Sequence, residues 1–322
     1  MNPAFKKIVV LAGGPSCERE VSLVSGQAVY EALKSKGFSV FLIDPAPFIV
    51  GGAAPSNDGA SLVAELRRQE ASMAFIALHG VFGEDGTVQR LLEEAEIPYT
   101  GPGAQMSERA FDKSQAQEIF KRAGVRVPDF ICVQKDSDAE NFKIPCVVKP
   151  AKAGSSVGIT LVLEKKDLKS ALTGAFQYSD TVLVDEYIQG RELTVGILGE
   201  EALPVVEIIP SRKFYDYEAK YGNSGTRYEF PAKLTPEQAE KVTVMALKAY
   251  QALQGEVLSR VDLLLDAKND PYVLEVNTIP GLTGKSLLPK AAKAKGIDFP
   301  ELCVRILELS FERKKHGQTV KT

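Results

Sequence analysis

An α/β fold that begins as a doubly wound parallel sheet is predicted for residues 1–104 from three observations. Strands alternate with helical stretches. The first strand, KIVVL, runs straight into a Gly13-Gly14 turn. After that turn, Val21, Val24, Ala28, Val29, Ala32 and Leu33 recur at helical spacing and stop at Gly37. Strand, glycine turn, helix and strand in that order imply parallel strands joined by helical crossovers.

The elements follow in sequence. FSVFLID is the second strand and MAFIAL the third, leading through HGVFGEDG into a helix from Thr87. The Gly13-Gly14 turn lacks GxGxxG, so it reads as a tight turn at a strand end rather than a dinucleotide fingerprint. Past Gly101-Pro102-Gly103 come a helix, DKSQAQEIFKRAG, and strands FICV and PCVVKP. The loop AKAGSSVG, strand ITLVL, a further helix and strand TVLVDEYI complete a second region, residues 105–189.

The third region, residues 190–322, opens with strands ELTVGILG and LPVVEII. The tyrosine-rich stretch after them has no periodicity and suits a lid over residues 212–228. Helix TPEQAEKVTVMALKAYQAL precedes strands VLSRVDLLLD and YVLEVNTI. A terminal helix, FPELCVRILELSFE, is expected to give way to a frayed polar tail containing His316.

Composition narrows the function. Among 322 residues, 39 are basic and 42 acidic, a net charge of −3 that offers no field for nucleic acid or a membrane surface. Cys17, Cys132, Cys146 and Cys303 show no CxxC spacing, which argues against zinc and against a disulfide framework. With no apolar run of bilayer length and no signal-peptide pattern, a cytoplasmic enzyme is expected. Any metal should then be a hard cation held by oxygen ligands.

Gly284-Lys285-Ser286 spells the end of a P-loop, but Ile279 stands where its first glycine belongs, and Pro280 and Pro289 crowd the segment. The informative part is the strand before it. Glu275 and Asn277 share one face there, as Arg260 and Asp262 do on the preceding strand. Paired, the two strands would bring three oxygen-bearing side chains together, a set suited to Mg²⁺. An ion pair at a strand edge is the plainer alternative. Carboxylates on otherwise apolar strands are costly unless paired or metal-bound, which favours the metal.

Lys149 ends an apolar strand beside the Gly154-Ser155-Ser156-Val157-Gly158 loop, where backbone N–H groups can close on phosphate oxygens. Lys113 opens a helix, where the dipole disfavours a cation unless an anion is near; a solvated surface lysine is the plainer reading. The strand end Asp185-Glu186-Tyr187-Ile188 can offer backbone groups to a base, and Glu192 can reach ribose hydroxyls.

The ordered set GGPSCEREVSL (13–23), ALHGVFGEDGTVQ (77–89), YTGPG (99–103), VVKPAKAGSSVG (147–158), FYDYEAKY (214–221), RVDLLLD (260–266) and LEVNTIPGLTGKSLLP (274–289) resembles the ATP-grasp superfamily. Within it, the chain resembles the D-alanine–D-alanine ligase family over nearly its whole length. The resemblance implies a two-lobed ATP-grasp unit of α+β subdomains after the N-terminal domain. It also implies ATP-dependent joining of two D-alanines through an acyl phosphate, feeding peptidoglycan and cell-wall synthesis. Another carboxylate–amine ligase of the superfamily, with a different acid or amine, is the alternative. A regulatory nucleotide binder would have lost some of these charged residues.

By the same resemblance, Asp262, Glu275 and Asn277 hold two Mg²⁺ (or Mn²⁺), while Lys113, Lys149 and Lys220 contact the ATP phosphates. Ser155 and Ser156 belong to the phosphate loop, Glu192 to the ribose, and Asp185 with residues 186–188 to adenine; many relatives carry glutamate where Asp185 stands. Arg260 and the Gly281 backbone stabilise the oxyanion. Glu18 and His79 hold the first D-alanine, Ser286 and Leu287 the carboxylate of the second. A hydrogen-bonded triad of Glu18, Ser155 and Tyr221 ties loop and lid to the N-terminal domain, and Tyr221 implies an amine rather than a hydroxy-acid nucleophile. A homodimer is implied as well. Lys149→Ala and Glu275→Gln are expected to abolish turnover with the fold intact.

Overall fold

Residues 5–49, 59–135, 142–210 and 225–319 are described by the structure, a computed structural model, with side chains as far as residue 313. Its first strand, β1 (Ile8–Leu11), is buried on both faces. α1 (Arg19–Ser35), β2 (Val40–Ile43), α2 (Gly59–Arg68), β3 (Met73–Ile76) and α3 (Thr87–Glu94) follow. The strands form a parallel sheet in the order β2-β1-β3. Ile8 and Val10 pack toward Val29 and Leu33 of α1, while Val9 and Leu11 pack toward Leu62, Leu66, Val88 and Leu92 of α2 and α3. Side-chain alternation thus serves two helical layers, the doubly wound arrangement.

The glycine turn after β1 has φ of 92° at Gly13 and 80° at Gly14, a conformation that side chains resist. Ser22 Oγ accepts from the Gly13 amide at 2.8 Å and Asp44 Oδ1 from the Gly14 amide at 2.9 Å. The turn therefore satisfies its own donors. The buried face of α1 differs from the apolar spacing: Ser22, Ser25 and Gly26 lie inward, and Val24 is 61% exposed. The cause is close approach, since a Cβ at Gly26 would sit 2.1 Å from that of Ala12.

α4 (Ala104–Phe111), α5 (Lys113–Arg122), β4 (Phe130–Gln134), β5 (Cys146–Pro150), β6 (Thr160–Val162), α6 (Leu168–Ala175) and β7 (Thr181–Glu186) come next. The strands pair antiparallel in the order β4-β7-β5-β6, with a small core of Val133, Val148, Val162, Leu168, Val182 and Val184.

The last sheet is built from β8 (Gly190–Leu198), β9 (Glu201–Ala202), β10 (Val206–Ile209), β11 (Arg227–Glu229), β12 (Leu258–Asp266) and β13 (Pro271–Asn277). Its order is β11-β10-β8-β12-β13, with β9 on β8. α7 (Pro236–Ala252) covers one face, where Val242, Ala246 and Ala249 meet Leu193, Val195, Val261, Leu263 and Val273. Met106 and Phe120 join the same cluster, so α4 and α5 pack on this sheet, and α5 also touches β7 of the four-stranded one. TPEQ starts α7 with a capping box: Gln238 N donates to Thr235 Oγ1 at 3.2 Å, and Thr235 N donates to Gln238 Oε1 at 2.9 Å.

α8 (Leu287–Ala294) and α9 (Phe299–Thr319) close the chain, and Leu288, Ala291, Leu302 and Ile306 extend the N-terminal core. α9 runs to Thr319, so the polar tail expected to fray continues the helix through position 316. α2, α4 and α8, of 10, 8 and 8 residues, are too short for their apolar spacing to stand out in the chain. Pro289 does not prevent α8, because it falls in the first turn, where amides have no intrahelical acceptor. Arg227 and Tyr228, assigned to the lid, begin β11 and pair with Ile209 and Ile208.

Candidate functional site

β12 and β13 are antiparallel neighbours, with Arg260 opposite Asn277 and Asp262 opposite Glu275. A bulge follows Asp262 and shifts the register of the remaining residues. Asp262 is buried and fully engaged. Arg260 donates through Nε to Oδ1 at 2.9 Å and through Nη2 to Oδ2 at 2.7 Å, a bidentate fork. Thr194 Oγ1 donates to Oδ1 at 2.6 Å and Asn277 Nδ2 to Oδ2 at 3.1 Å.

Lys113 lies at the start of α5 yet is only 9% exposed, which removes the reading of a solvated surface lysine. Its ammonium is 3.2 Å from Glu275 Oε2 and donates to the Ala153 carbonyl at 2.8 Å. Asp112 caps the helix, accepting from the amides of Ser114 at 3.0 Å and Gln115 at 3.3 Å. Burial pushes its carboxyl up, but hydrogen bonds from Ser114 and Gln115 and the nearby Lys152 outweigh this and hold it below the usual range.

Two cavities, of about 590 and 670 Å³, meet here, and Lys113 and Glu275 line both. Glu18, His79, Ser155, Arg260, Asn277, Gly281, Ser286 and Leu287 line the first. Lys149, Ser156, Asp185, Glu186, Tyr187, Ile188, Glu192 and Asp262 line the second. Lys220 and Tyr221, and the lid as far as residue 224, lie outside the described residues.

In the first cavity Glu18 precedes α1, where the helix dipole favours a carboxylate. Ser155 Oγ donates to Glu18 Oε1. A Cβ at Gly80 would lie 2.7 Å from Glu18 Oε2 and one at Gly154 2.3 Å, so both backbones close on this carboxylate. Ser155 and Ser156 adopt φ of 51° and 59°, left-handed values that curl the β5–β6 loop back toward Glu18. Neighbouring Cys17 has its thiol pushed up by burial and then by the Glu18 charge. His79 is buried, with Nε2 2.9 Å from Ser25 Oγ and Nδ1 3.4 Å from Glu84 Oε1. Ser286 stands at the N-cap position of α8 without a capping side-chain bond, and its hydroxyl lies 2.9 Å from Thr283 Oγ1. Lys285, exposed beside Ser286, also lines this cavity.

In the second cavity Lys149 Nζ is 2.5 Å from Asp185 Oδ2, and both residues are buried. The same oxygen accepts from Gln117 Nε2 at 3.2 Å. The amides of Glu186 and Tyr187 already donate to the carbonyls of Asp129 at 2.7 Å and Pro145 at 3.4 Å, so those two N–H groups are spent within the fold.

Ser25, Glu84, Thr194 and Gln117 were not singled out by sequence reading. Ser25 and Gln117 carry a usable signal, since each is a polar residue on the buried face of a helix; Gln117 stands four residues after Lys113. Thr194 and Glu84 carry none, because only strand pairing and loop closure bring them to their partners.

Among the described residues no group of three or more His, Cys, Asp and Glu side chains is gathered as a metal centre. The expected set has only two carboxylates, Asp262 and Glu275, with the amide of Asn277. The donor types suit a hard cation, and Asn277 gives its nitrogen to Asp262, which leaves its amide oxygen available; Asp262, with both oxygens taken by Arg260, Thr194 and Asn277, could join such a cation only by giving up part of the Arg260 fork. Among the described residues no helix is long and apolar enough to cross a membrane.

A family model described as the D-ala D-ala ligase C-terminus matches residues 119–308, and one for the N-terminus matches residues 52–102. The D-alanine–D-alanine ligase of Methylacidiphilum infernorum is 45% identical over 319 residues, covering 98% of this chain and 100% of the relative. That of Haemophilus influenzae is 41% identical over 309 residues, covering 94% and 100%. The Bacillus anthracis D-alanine–D-alanine ligase complexed with ATP superposes with a TM-score of 0.82 at 32% identity, over 97% of this chain and 99% of that one. VanG D-Ala:D-Ser ligase from Enterococcus faecalis does so with 0.80 at 30% identity, over 95% and 99%.

Proposed function

This chain belongs to the D-alanine–D-alanine ligase family, and from that premise we propose that it joins two D-alanines at the expense of ATP, supplying the dipeptide for cell-wall peptidoglycan in the cytoplasm. One observation supports this reading above the others: a cavity lined by Glu18, His79, Arg260 and Ser286 opens, at Lys113 and Glu275, onto a cavity lined by Lys149, Asp185 and Glu192. A carboxyl group bound in the first thereby lies next to a triphosphate bound in the second.

Each residue's task follows from charge. Glu18 is a buried acid facing the first cavity and takes the ammonium of the first D-alanine, while His79, clamped by Ser25 and Glu84, lies toward its carboxylate. That carboxylate attacks the γ-phosphorus of ATP, breaking the bond to ADP and forming an acyl phosphate. The amine of the second D-alanine attacks the acyl carbon, loses a proton and expels phosphate. Its own carboxylate rests at the N-terminus of α8, against Ser286 and Leu287, where the dipole favours an anion.

Arg260 and the Gly281 backbone face the oxyanion of the second step, and Lys113, Lys149 and Lys220 face the phosphates, with Ser155 and Ser156 in the loop over them. Asp262, Glu275 and Asn277 would hold two Mg²⁺, which when bound neutralise phosphate charge. Positioning and charge neutralisation supply the catalysis, so no covalent nucleophile is needed. Asp185 serves the base and Glu192 the ribose. Tyr221 completes the triad with Glu18 and Ser155, and the molecule works as a homodimer. Residues 1–104, 105–189 and 190–322 form its three domains, with α4, α5 and α9 reaching across the boundaries.

Phosphate release from Mg-ATP tests this, with D-alanine, L-alanine, or D-alanine plus D-lactate. Release wherever D-alanine is present and none with L-alanine, with a dipeptide by mass as the main product, is the expected result. No release with D-alanine from folded protein that binds ATP would mean a different acid and amine. Gly154→Ala should raise the KM of the first D-alanine at least about tenfold, because the added methyl displaces Glu18 from its closed seat. KM values unchanged for both alanine sites would contradict that seat.

A further inference from the structure

Asp185 is held from two sides by groups that leave one of its oxygens unused. Oδ2 takes the Lys149 ammonium at 2.5 Å and the Gln117 amide at 3.2 Å. Oδ1 is buried and has no hydrogen-bond partner among the described residues, on a side chain that lines the second cavity. Gln117 is fully buried on α5, and its Oε1 likewise has no partner there. The sense of the Gln117 amide follows from chemistry: turned over, its oxygen would face a carboxylate oxygen, and two acceptors repel. With two donors on Oδ2, the carboxylate cannot rotate without breaking both contacts. Oδ1 becomes a fixed acceptor. Such an acceptor favours a ligand presenting N–H and penalises one presenting a carbonyl at the same point.

We propose that Gln117 is a positioning residue for base selection. It holds Asp185 with Oδ1 as a lone acceptor, so the site takes a nucleoside triphosphate whose base carries an exocyclic amino group and refuses one carrying an oxo group there. Gln117 does not line the cavity itself and acts through Asp185. The inference rests on the reading of this cavity as the ATP site with Asp185 at its base end.

The test measures kcat and KM for ATP and for inosine triphosphate, which replaces the amino group by an oxo group, at saturating D-alanine and Mg²⁺. Wild-type protein is compared with Gln117→Met, of similar length without the amide, and Gln117→Lys, which returns a donor. Wild type should prefer ATP at least about tenfold in kcat/KM. Gln117→Met should lower that preference about fivefold or more, by raising the KM for ATP while kcat stays within about twofold; Gln117→Lys should restore it. A wild type that treats both nucleotides alike removes the base reading of Asp185 and the proposal with it. A discriminating wild type with an unchanged ratio in Gln117→Met overturns the role of Gln117 alone. Equal loss in both variants makes Gln117 a packing residue, which also overturns it. Should Gln117→Met fail to fold by thermal melt, Gln117→Lys decides: retained preference supports the proposal and lost preference ends it.

Discussion

Lys149→Ala should abolish measurable phosphate release and also lower the unfolding free energy by about 3–5 kcal/mol. The first effect follows from removing a cation from the wall of the cavity proposed for the nucleotide. The second comes from its partner. Lys149 and Asp185 are 6% and 3% exposed and 2.5 Å apart, so truncating the lysine strands a buried carboxylate whose remaining described donor is Gln117. Sequence alone suggested that this variant would keep its fold intact; the buried pair revises that. Urea denaturation at neutral pH reads the stability term, and the coupled phosphate assay reads turnover. Adding Asp185→Asn to Lys149→Met should recover most of the stability and none of the activity, because the stranded charge is gone while the cation is still missing. A Lys149→Ala midpoint equal to wild type would mean that water reaches the pair.

Glu275→Gln, which the sequence reading expects to abolish turnover, should cut it by about 10²–10³-fold with only a small change in stability. Its carboxylate belongs to the oxygen set proposed for Mg²⁺ and lies 3.2 Å from the Lys113 ammonium, at the junction of the two cavities. Glutamine keeps the shape and removes the charge. The Glu275 side chain is 25% exposed, so breaking this ion pair disturbs the fold far less than breaking the one at Lys149. The variant should also need more Mg²⁺ for half-maximal nucleotide binding, measured by titration calorimetry without turnover. Near-normal turnover together with an unchanged Mg²⁺ requirement would remove Glu275 from the metal set.

The two variants separate what the chain discloses from what it hides. Arg260, Asp262, Glu275 and Asn277 were legible because alternation along a strand is rigid: residues two apart share a face, and carboxylates on apolar strands must be compensated. Glu18 entered through the family resemblance, and its place at a helix start, where the dipole favours a carboxylate, agrees with it. The three-helix remainder of the fold was not. α2, α4 and α8 are short and owe their existence to packing on larger elements, and α1 buries two serines and a glycine where apolar spacing points to Val21 and Val24.

By itself, then, the sequence determined the parallel opening sheet, the two acid-bearing strands, the glycine loop and the charged groups proposed for the chemistry. It could do so because strand alternation, helix ends and glycine turns are local and read directly from neighbouring residues. Only the tertiary structure decided how those charges are partnered: Lys149 with Asp185 and Gln117, Lys113 with Glu275, Asp262 with Arg260 and Thr194, and Glu18 with Ser155. Most of these partners are far apart in the chain. Their pairing depends on how sheets and helices dock, and the cost of burying an unpaired charge fixes each partner once docking has brought it within reach.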